Sequence, residues 1–504
     1  MRISSFLLSV LTAGSLKATA QQIPDPAPFA ASITAADLKT HLYKVASKEF
    51  EGRETATEGQ RKAAAYIEDH FRSVGLLPGN TNSYQLYYPI FQDSITQCTI
   101  EVGGQVFYLN MDFILNLTDN HTATLYGSEV IFTGYGISDD TEDDYKGLDV
   151  KGKIVLVLSG MPDGKKEDLT KRRNVDPKLE AAWKNGAAGV LVVQKGTTGF
   201  HIRRDVKSGL HLKEYKSPIY PNAFYVSEKV AEAIMGKDYE TAKAGTLSPG
   251  PHVYPVDIKL DFIKSVTTKQ SSDVLGFLEG TDLKDEIVVI SAHYDHLGKK
   301  DTTIYYGADD DGSGTVSVLE MAQAFAKAKA AGKGPRRSIL FLANSGEEKG
   351  LWGSEYYSDH PVYPMDRTTV DLNIDMVGRI DPNRKKGDST NYVYVIGDDK
   401  LSSELKPISE AQNKQYTHLE LDYKYNDPKD PERIYYRSDH YNFARKGVPI
   451  IFYFDGIHKD YHQPTDTPDK INYDLLEKRA RLVFYTAWEM ANRDAMLKRD
   501  IPLN

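Results

Sequence analysis

A length of 504 residues exceeds what one ordinary hydrophobic core requires, so the sequence predicts at least two domains. Hydrophobic residues make up 40% and charged residues 26% of the chain, which is typical of a folded globular protein and excludes a disordered or membrane-embedded one. The formal net charge of −9 disfavours nucleic acid as the main partner, since a nucleic-acid surface needs an excess of basic residues.

The first 20 residues have the layout of a secretory signal peptide. Arg2 precedes a short apolar run, and small residues end the segment at Ala18 and Ala20. We therefore expect cleavage after Ala20, and the apolar run is too short to remain as a membrane anchor. The single cysteine, Cys98, excludes an internal disulfide. The sequence predicts an exported protein, periplasmic or extracellular, with an ordinary buried N-terminal helix as the alternative.

Residues 32–124 are predicted to be the first part of the main domain. Two segments with apolar residues at helical spacing flank a polar turn that contains Gly52 and Arg53. Residues 84–117 alternate apolar and polar residues in short pieces, which predicts strands.

Residues 125–262 differ from the rest of the chain in their sequence pattern. Short apolar runs end in glycines, and the segment contains few histidines or paired carboxylates. This pattern predicts a small β-rich inserted domain without catalytic residues of its own. The alternative is that the segment continues the main sheet, because boundaries are poorly fixed by one sequence.

Residues 263–504 are predicted to complete the main domain. Strands are predicted at 287–290, 337–343, 373–377, 392–396 and 448–454, and helices at 315–331 and 473–493. Strands that alternate with helices predict an α/β fold, with a mostly parallel sheet covered on both faces. Ligands of such folds bind in the loops beyond the carboxyl ends of the strands.

Four of these loops carry histidines and carboxylates. They contain, in chain order, His293 with Asp295 and the aspartates 309–311, Glu347 with Glu348, Asp375, and Tyr461 with His462. Imidazole together with carboxylate is the mixture that zinc accepts in catalytic sites. A solvated loop, a helix cap or a turn would explain any one of these residues alone. Their shared position after strands predicts a metal site.

The histidines and carboxylates of these loops are sufficient to bind two metal ions. A pair of ions about 3.5–4 Å apart requires one shared carboxylate, plus one histidine and one carboxylate for each ion. The sequence supplies Asp310 as the bridge, His293 with Asp375 for one ion, and His462 with Glu348 for the other.

Residues beside the predicted ligands are assigned to catalysis. Asp295 can accept the remaining ring N–H of His293 and fix its tautomer. Adjacent residues of an extended chain point apart, so one of Glu347 and Glu348 is expected to bind metal while the other faces the attacking water as a general base. Tyr461 can donate a hydrogen bond to the oxyanion.

These motifs resemble those of the co-catalytic di-zinc aminopeptidases, a group that includes bacterial leucyl aminopeptidases, aminopeptidase Y and relatives of glutamate carboxypeptidase. The motifs are His293-x-Asp295, the segment 307–314, Glu347-Glu348, Asp375 within Asn-x-Asp-Met, and Tyr461-His462. The resemblance implies a three-layer α/β/α zinc-exopeptidase fold with a mostly parallel mixed sheet, and two Zn²⁺ per chain. It names Asp310 as the bridge, Glu347 as the base and Glu348 as a ligand. It also implies a cis Asp310–Asp311 peptide bond, and a protease-associated domain at residues 125–262.

The implied function is that of an aminopeptidase acting on peptides, without nucleic acid or a membrane anchor. A carboxypeptidase or dipeptidase of the same fold is the alternative. Arg379, Arg437 and Asp439 are the candidate substrate-binding residues, and Arg433 is a further cation that could grip a terminal carboxylate. A glutaminyl-cyclase-like acyl transferase and a non-catalytic peptide-binding protein fit less well, because ligands for two ions are present. The sequence leaves the oligomeric state and the preferred side chain open.

Overall fold

The computed structural model describes residues 23–140, 142–162, 176–200, 206–213, 218–248 and 250–503. The signal peptide predicted over residues 1–20 lies outside the described residues. The chain divides into two compact units: the first contains the residues up to Tyr88 and from Ser271 onwards, and the second contains Pro89–Gln270. Two long strands, Gln85–Val102 and Ile258–Leu278, begin in one unit and end in the other.

The second unit starts at Pro89, well before the predicted boundary at residue 125. Ile100 and Phe107 belong to the same apolar core as Phe224, which is a core of the second unit. The alternation that predicted short strands in this segment belongs mainly to one strand of 18 residues. Alternation shows that a strand is half buried, but it does not show which core receives its apolar side.

The first unit contains most of the helices. They span Ala27–Ala30, Ala35–Val45, Glu58–Ser73, Gly314–Ala330, Trp352–Asp359, Leu405–Gln412, His440–Ala444 and Tyr473–Asn492. Its strands are Leu77–Pro78, Leu283–His293, Lys299–Lys300, Thr303–Ile304, Arg337–Asn344, Thr368–Ile374, Tyr392–Ile396, Glu420–Asp422 and Ile450–Phe454. The strand and helix patterns of the predicted main domain are therefore present, with shifts of a few residues at their ends.

The sheet of the first unit has a parallel centre and antiparallel flanks. Its order is Glu420–Asp422, Tyr392–Ile396, Ile450–Phe454, Thr368–Ile374, Leu283–His293, Arg337–Asn344 and the end of Ile258–Leu278. The four strands from Ile450–Phe454 to Arg337–Asn344 run parallel to their neighbours within that group. The next strand on either side is antiparallel. The predicted mostly parallel mixed sheet is confirmed.

Alternate residues of the central strand enter two different cores. Val288 and Ile290 pack with residues of the Gly314–Ala330 and Tyr473–Asn492 helices. Ile287 and Val289 pack with residues of the His440–Ala444 helix. Successive side chains of a strand point to opposite faces, so helices cover both sides of the sheet. This is the predicted three-layer α/β/α arrangement.

The second unit is built mainly from strands. They span Gln105–Tyr108, Phe113–Ile114, Ala123–Gly127, Val130–Phe132, Ile154–Leu158, Gly189–Val193, Lys207–His211, Asn222–Val226 and His252–Tyr254. The described helices of this unit are Pro177–Lys184, Glu228–Met235 and Asp238–Lys243. Four strands, from Val130–Phe132 to Asn222–Val226, pair in parallel at the centre of a six-stranded sheet. Its identity as a protease-associated domain stays a prediction.

The parallel strands of the first unit end where the predicted site residues begin. One strand ends at His293, and the Thr368–Ile374 strand ends immediately before Asp375. The prediction that this last strand continues to residue 377 is wrong, because Met376 adopts a φ of +56°, which strands do not accommodate. None of the helices in the described part of the chain is long and apolar enough to cross a membrane.

Candidate metal centre

His293, Asp310 and Asp375 form a first cluster of buried side chains. The Nε2 atom of His293 lies 3.3 Å from Oδ1 of Asp310 and 3.6 Å from Oδ1 of Asp375. Two ligand atoms of one tetrahedral zinc lie about 3.4 Å apart, so these separations fit a shared ion. The other oxygen of Asp375 accepts a hydrogen bond of 2.7 Å from the Ser438 hydroxyl, which orients the carboxylate.

A second cluster adjoins the first and shares Asp310 with it. The Nε2 atom of His462 lies 3.2 Å from Oδ2 of Asp310 and 3.1 Å from Oε2 of Glu348. The Nδ1 atom of His296 lies 2.8 Å from Oε1 of Glu348 and 3.8 Å from Oδ2 of Asp310. Asp310 thus presents one oxygen to each cluster, which is the arrangement that a bridging carboxylate requires.

His296 was missed by sequence reasoning. It follows Asp295 in the loop that begins at His293, and it is fully buried. The available signal was a second histidine three residues after the first, in a loop already dense in carboxylates. This spacing does not show where the His296 side chain points. Only the tertiary structure places the His296 ring against Glu348.

The carboxylates of both clusters lack a cationic partner from the chain. Within the part of the chain that the structure describes, no lysine or arginine nitrogen lies within 4.0 Å of Asp310, Glu348 or Asp375, whose close partners are histidines. Oδ2 of Asp310, Oε1 of Glu348 and Nε2 of His293 are buried without a hydrogen bond. Buried carboxylates require a paired cation or a metal. The donor set and its unsatisfied atoms fit zinc.

The surroundings shift the pKa values of two of these carboxyl groups in opposite directions. Burial opposes ionisation of Asp310, but the imidazoles of His293, His462 and His296 together hold its pKa well below the usual range. Burial raises the pKa of Glu347 well above its usual range, and the Glu348 and Asp375 carboxylates add to this, although His293 acts in the opposite direction. The surroundings therefore favour the protonated form of Glu347 and the ionised form of Asp310.

Glu347 and Glu348 lie in a short 3₁₀ turn, Glu347–Lys349, and not in the extended chain that the sequence argument assumed. Their side chains nevertheless face different histidines. Oε2 of Glu347 lies 3.9 Å from Nε2 of His293, whereas Glu348 contacts His296 and His462. The turn therefore separates the two carboxylates, as the extended chain would have done.

Asp295 connects the end of the central strand to this turn. Its carboxylate accepts a hydrogen bond of 2.7 Å from the Thr55 hydroxyl and one of 3.2 Å from the backbone N–H of Glu347. The expected bond from His293 to this carboxylate is not formed, because Nδ1 of His293 lies 3.6 Å from Oδ1. That nitrogen lies 3.2 Å from the backbone carbonyl oxygen of Asp295 instead.

The loop that carries Asp310 is fixed by its own neighbours. Asp309 accepts a hydrogen bond of 2.7 Å from the N–H of Gly378, and Asp311 accepts one of 2.8 Å from the N–H of Gly314. A Cβ atom at Gly314 would lie 2.4 Å from the Asp311 carboxylate, so only glycine fits there. The Asp310–Asp311 peptide bond is cis, as the resemblance implies.

A pocket opens beside the clusters. It is lined by Asp310, Glu347, Asp375, Met376, Ile434, Arg437, Phe452, Phe454, Ile457 and Tyr461. The Arg437 guanidinium donates a hydrogen bond of 3.2 Å to the Tyr461 hydroxyl oxygen. The phenol proton therefore stays available to another acceptor. Half of the lining residues are polar or charged, and the other half are apolar.

Of the three predicted substrate-binding residues, only Arg437 lines this pocket. Arg379 pairs with Asp460 at 3.1 Å, so its charge is already balanced. Asp439 is fully buried and accepts a hydrogen bond from the Ser354 hydroxyl. Residue type and place in the chain, on which both predictions depended, do not report the direction of a side chain.

Residues 273–487 match the family described as Peptidase family M28. Across almost the whole chain, the sequence is similar to Aminopeptidase YwaD of Bacillus subtilis (strain 168): the two are 25% identical over 97% of this chain and 93% of the relative. A probable leucine aminopeptidase of Arthroderma otae is 30% identical over 41% of this chain, and the match spans 55% of that relative.

The fold is also similar to that of a solved structure. The aminopeptidase from Aneurinibacillus sp. strain AM-1 superposes with a TM-score of 0.51 and 19% sequence identity, covering 95% of this chain and all of that one. At this identity the likeness concerns the fold alone. It agrees with the α/β arrangement that positions the two clusters.

Proposed function

This chain belongs to peptidase family M28, and we propose that it is a zinc-dependent aminopeptidase that removes residues from the free N-terminus of peptides. The observation that carries the proposal is the pair of histidine–carboxylate clusters that share Asp310 and open onto a pocket beside Glu347. Two relatives that are named as aminopeptidases support the choice of reaction.

We assign one zinc ion to each cluster. His293 and Asp375 would hold the first ion, Glu348 and His462 would hold the second, and Asp310 would be shared by both. When bound, the two ions supply Lewis-acid activation of a water molecule and of the scissile carbonyl. The unsatisfied buried atoms of Asp310, Glu348 and His293 favour this loading.

Glu347 and Tyr461 act on the substrate in the proposed reaction. The Glu347 carboxylate takes a proton from the attacking water and passes it to the nitrogen of the leaving amine. The Tyr461 hydroxyl, which accepts a hydrogen bond from Arg437, donates its own proton as a hydrogen bond to the carbonyl oxygen as negative charge develops there.

The variant Glu347→Gln tests the role of the base. Glutamine keeps the shape of the side chain but cannot accept the proton, so we expect kcat to fall by about 10²–10⁴-fold while the zinc content stays at the wild-type level. Glu355→Gln, in the Trp352–Asp359 helix that follows the turn, is the control and should retain wild-type turnover. If Glu347→Gln retained wild-type turnover, Glu347 would not be the general base.

A pair of modified peptides tests the direction of cleavage. For an aminopeptidase, acetylation of the N-terminus abolishes hydrolysis and amidation of the C-terminus does not. The opposite result would establish the carboxypeptidase alternative, which the position of Arg437 in the pocket wall favours, since a guanidinium can bind a terminal carboxylate.

Export is part of the proposal and rests on residues 1–20 of the sequence. We expect the mature protein to begin at Gln21 and to be found outside the cytoplasm. N-terminal sequencing of the protein isolated from its natural compartment checks this. A mature chain that begins at Met1 would contradict it.

A further inference from the structure

His296 lies against the second cluster, although the proposed pair of zinc sites does not require it. Its Nδ1 atom lies 2.8 Å from Oε1 of Glu348 and 3.8 Å from Oδ2 of Asp310. The side chain is fully buried. A buried imidazole beside two carboxylate oxygens requires a physical role, since desolvation without a polar partner is costly.

The contact between His296 and Glu348 does not have the geometry of a hydrogen bond. Neither ring nitrogen of His296 makes a hydrogen bond, and Oε1 of Glu348 makes none either, despite the separation of 2.8 Å. An N–H that merely oriented Glu348 would point along the line to its oxygen. The same combination, a short separation without a hydrogen bond, is found at Nε2 of His293. Two ligands of one ion likewise lie close together without a hydrogen bond between them.

The ring of His296 is held in place by backbone. A Cβ atom at Gly307 would lie 2.5 Å from Cγ and 2.6 Å from Cδ2 of His296, so the ring packs directly on that glycine. Gly307 has a φ of +55°, which disfavours any other residue there. The ring centroid of His462 lies 6.0 Å from that of His296. The two imidazoles therefore contact different oxygens of Glu348.

We propose that His296 is a fourth protein ligand of the second ion, together with His462, Glu348 and Asp310. The first ion then has three protein ligands: His293, Asp375 and Asp310. This inference rests on the proposed zinc sites. Zinc with four protein ligands is typical of closed sites, and zinc with three is typical of catalytic sites that keep a position open. The two sites would therefore be unequal: the second would be closed and would bind its ion more tightly, and the first would keep a position open.

Zinc affinity in the metal-free protein distinguishes a ligand from an orienting residue. Competition with a chromophoric chelator gives the stoichiometry and the dissociation constant of each site. Loss of an orienting residue weakens metal binding by about 10–100-fold. We therefore expect His296→Ala to weaken the tighter site by more than 100-fold and to leave the weaker site within a few-fold of wild type. A smaller effect on the tighter site would overturn the proposal.

His458 provides a matched control. It is buried and contacts Asp309 at 3.0 Å, one residue before the bridging aspartate. His458→Ala should therefore show at most the effect of an orienting residue, and circular dichroism should show both metal-free variants folded. Equal losses in His296→Ala and His458→Ala would also overturn the proposal.

Cysteine substitution tests ligation directly and does not depend on affinity. A thiolate bound to Co²⁺ produces a charge-transfer absorption in the near ultraviolet, whereas an unbound thiol does not. We expect this absorption in Co²⁺-loaded His296→Cys and not in Co²⁺-loaded His458→Cys. A folded, loaded His296→Cys without the absorption would overturn the proposal.

The failure of this inference is distinguishable from that of the proposed function. If the wild type binds two zinc ions and hydrolyses peptides while His296→Ala leaves both affinities unchanged, the assignment of His296 fails and the aminopeptidase proposal survives. If the wild type binds no zinc, both fail.

Discussion

The buried carboxylates of the second unit and those of the two clusters in the first unit have different partners. In the second unit the buried acidic groups are paired with lysines: Asp93 with Lys264 at 2.7 Å, Asp261 with Lys259 at 3.2 Å, and Glu228 with Lys243 at 2.6 Å. In the first unit, Asp310, Glu348 and Asp375 face histidines and one another. A carboxylate paired with lysine is neutralised by the fold itself. A cluster of carboxylates and histidines without such a partner can instead accept a cation from outside the chain, as the proposed metal sites do.

Metal removal should have the largest effect, and the effect should differ between the two units. We expect a chelator to abolish activity and to destabilise only the first unit, by about 4 kcal/mol relative to protein in zinc at 1,000 times the dissociation constant. Hydrogen exchange, followed peptide by peptide, separates the units. Faster exchange should appear around residues 293–311 and not in the second-unit strands Ile154–Leu158 and Gly189–Val193. Equal loss of protection in both units would contradict the comparison.

Two buried arginines of the first unit allow the residues near the metal clusters to be compared with those far from them. Arg53 donates to the carbonyl oxygens of Tyr294, which follows His293, and of Gly307, which lies three residues before Asp310. Arg337 is equally buried but donates to the carbonyl oxygens of Met490 and Asp494. Arg337 begins the strand whose other end leads to the site, about 23 Å away.

Both Arg53→Met and Arg337→Met should destabilise the fold, because each leaves several buried carbonyl groups unpaired. Each lost bond to a buried group costs about 1–3 kcal/mol. Only Arg53→Met should also weaken zinc binding, by about 10–100-fold, because its partners position His293 and Asp310. Denaturant titration and chelator competition measure the two effects. Similar zinc affinities in the two variants would show that Arg53 has no special connection to the site.

In the second unit, the pair of Asp93 and Lys264 tests a carboxylate whose charge is neutralised by the chain itself. Both side chains are largely buried, so Asp93→Asn leaves a lysine without its partner and should cost about 3 kcal/mol. The double variant Asp93→Asn, Lys264→Met should recover part of that loss, and zinc content should equal that of the wild type in both. Denaturant unfolding and metal analysis check these outcomes. A loss of zinc would mean that this pair is not purely structural.

Much of the first unit was predictable from sequence, because its signals are local. An apolar run predicted the strand at 392–396, and helical spacing of apolar residues predicted the helix at 473–493. Both are present in the structure, the helix ending one residue earlier. The six residues placed after strand ends, His293, Asp310, Glu347, Glu348, Asp375 and His462, are gathered by the structure into two adjoining clusters and the turn beside them. Parallel strands end on one edge of a sheet, so their order in the chain carries this information.

Directions of side chains and membership of cores were not predictable. Asp439 and Arg379 had the right chemistry, but Asp439 is enclosed in the first unit and Arg379 is neutralised by Asp460. The start of the second unit at Pro89 was missed for a related reason, since a half-buried strand does not reveal which core it joins. These properties depend on groups distant in the chain.

The sequence by itself determined the chemistry of this protein: which residue types follow which strands, and therefore a metal site in an α/β sheet. Only the tertiary structure decided how that chemistry is arranged. It gives each oxygen of Asp310 to a different cluster, brings His296 against Glu348, and sends Asp295 to Thr55 and Glu347 instead of to the His293 ring. The physical reason is range: strand and helix patterns arise from neighbours in sequence, whereas the direction and partner of a buried polar side chain are set by whichever distant groups the packed core places beside it.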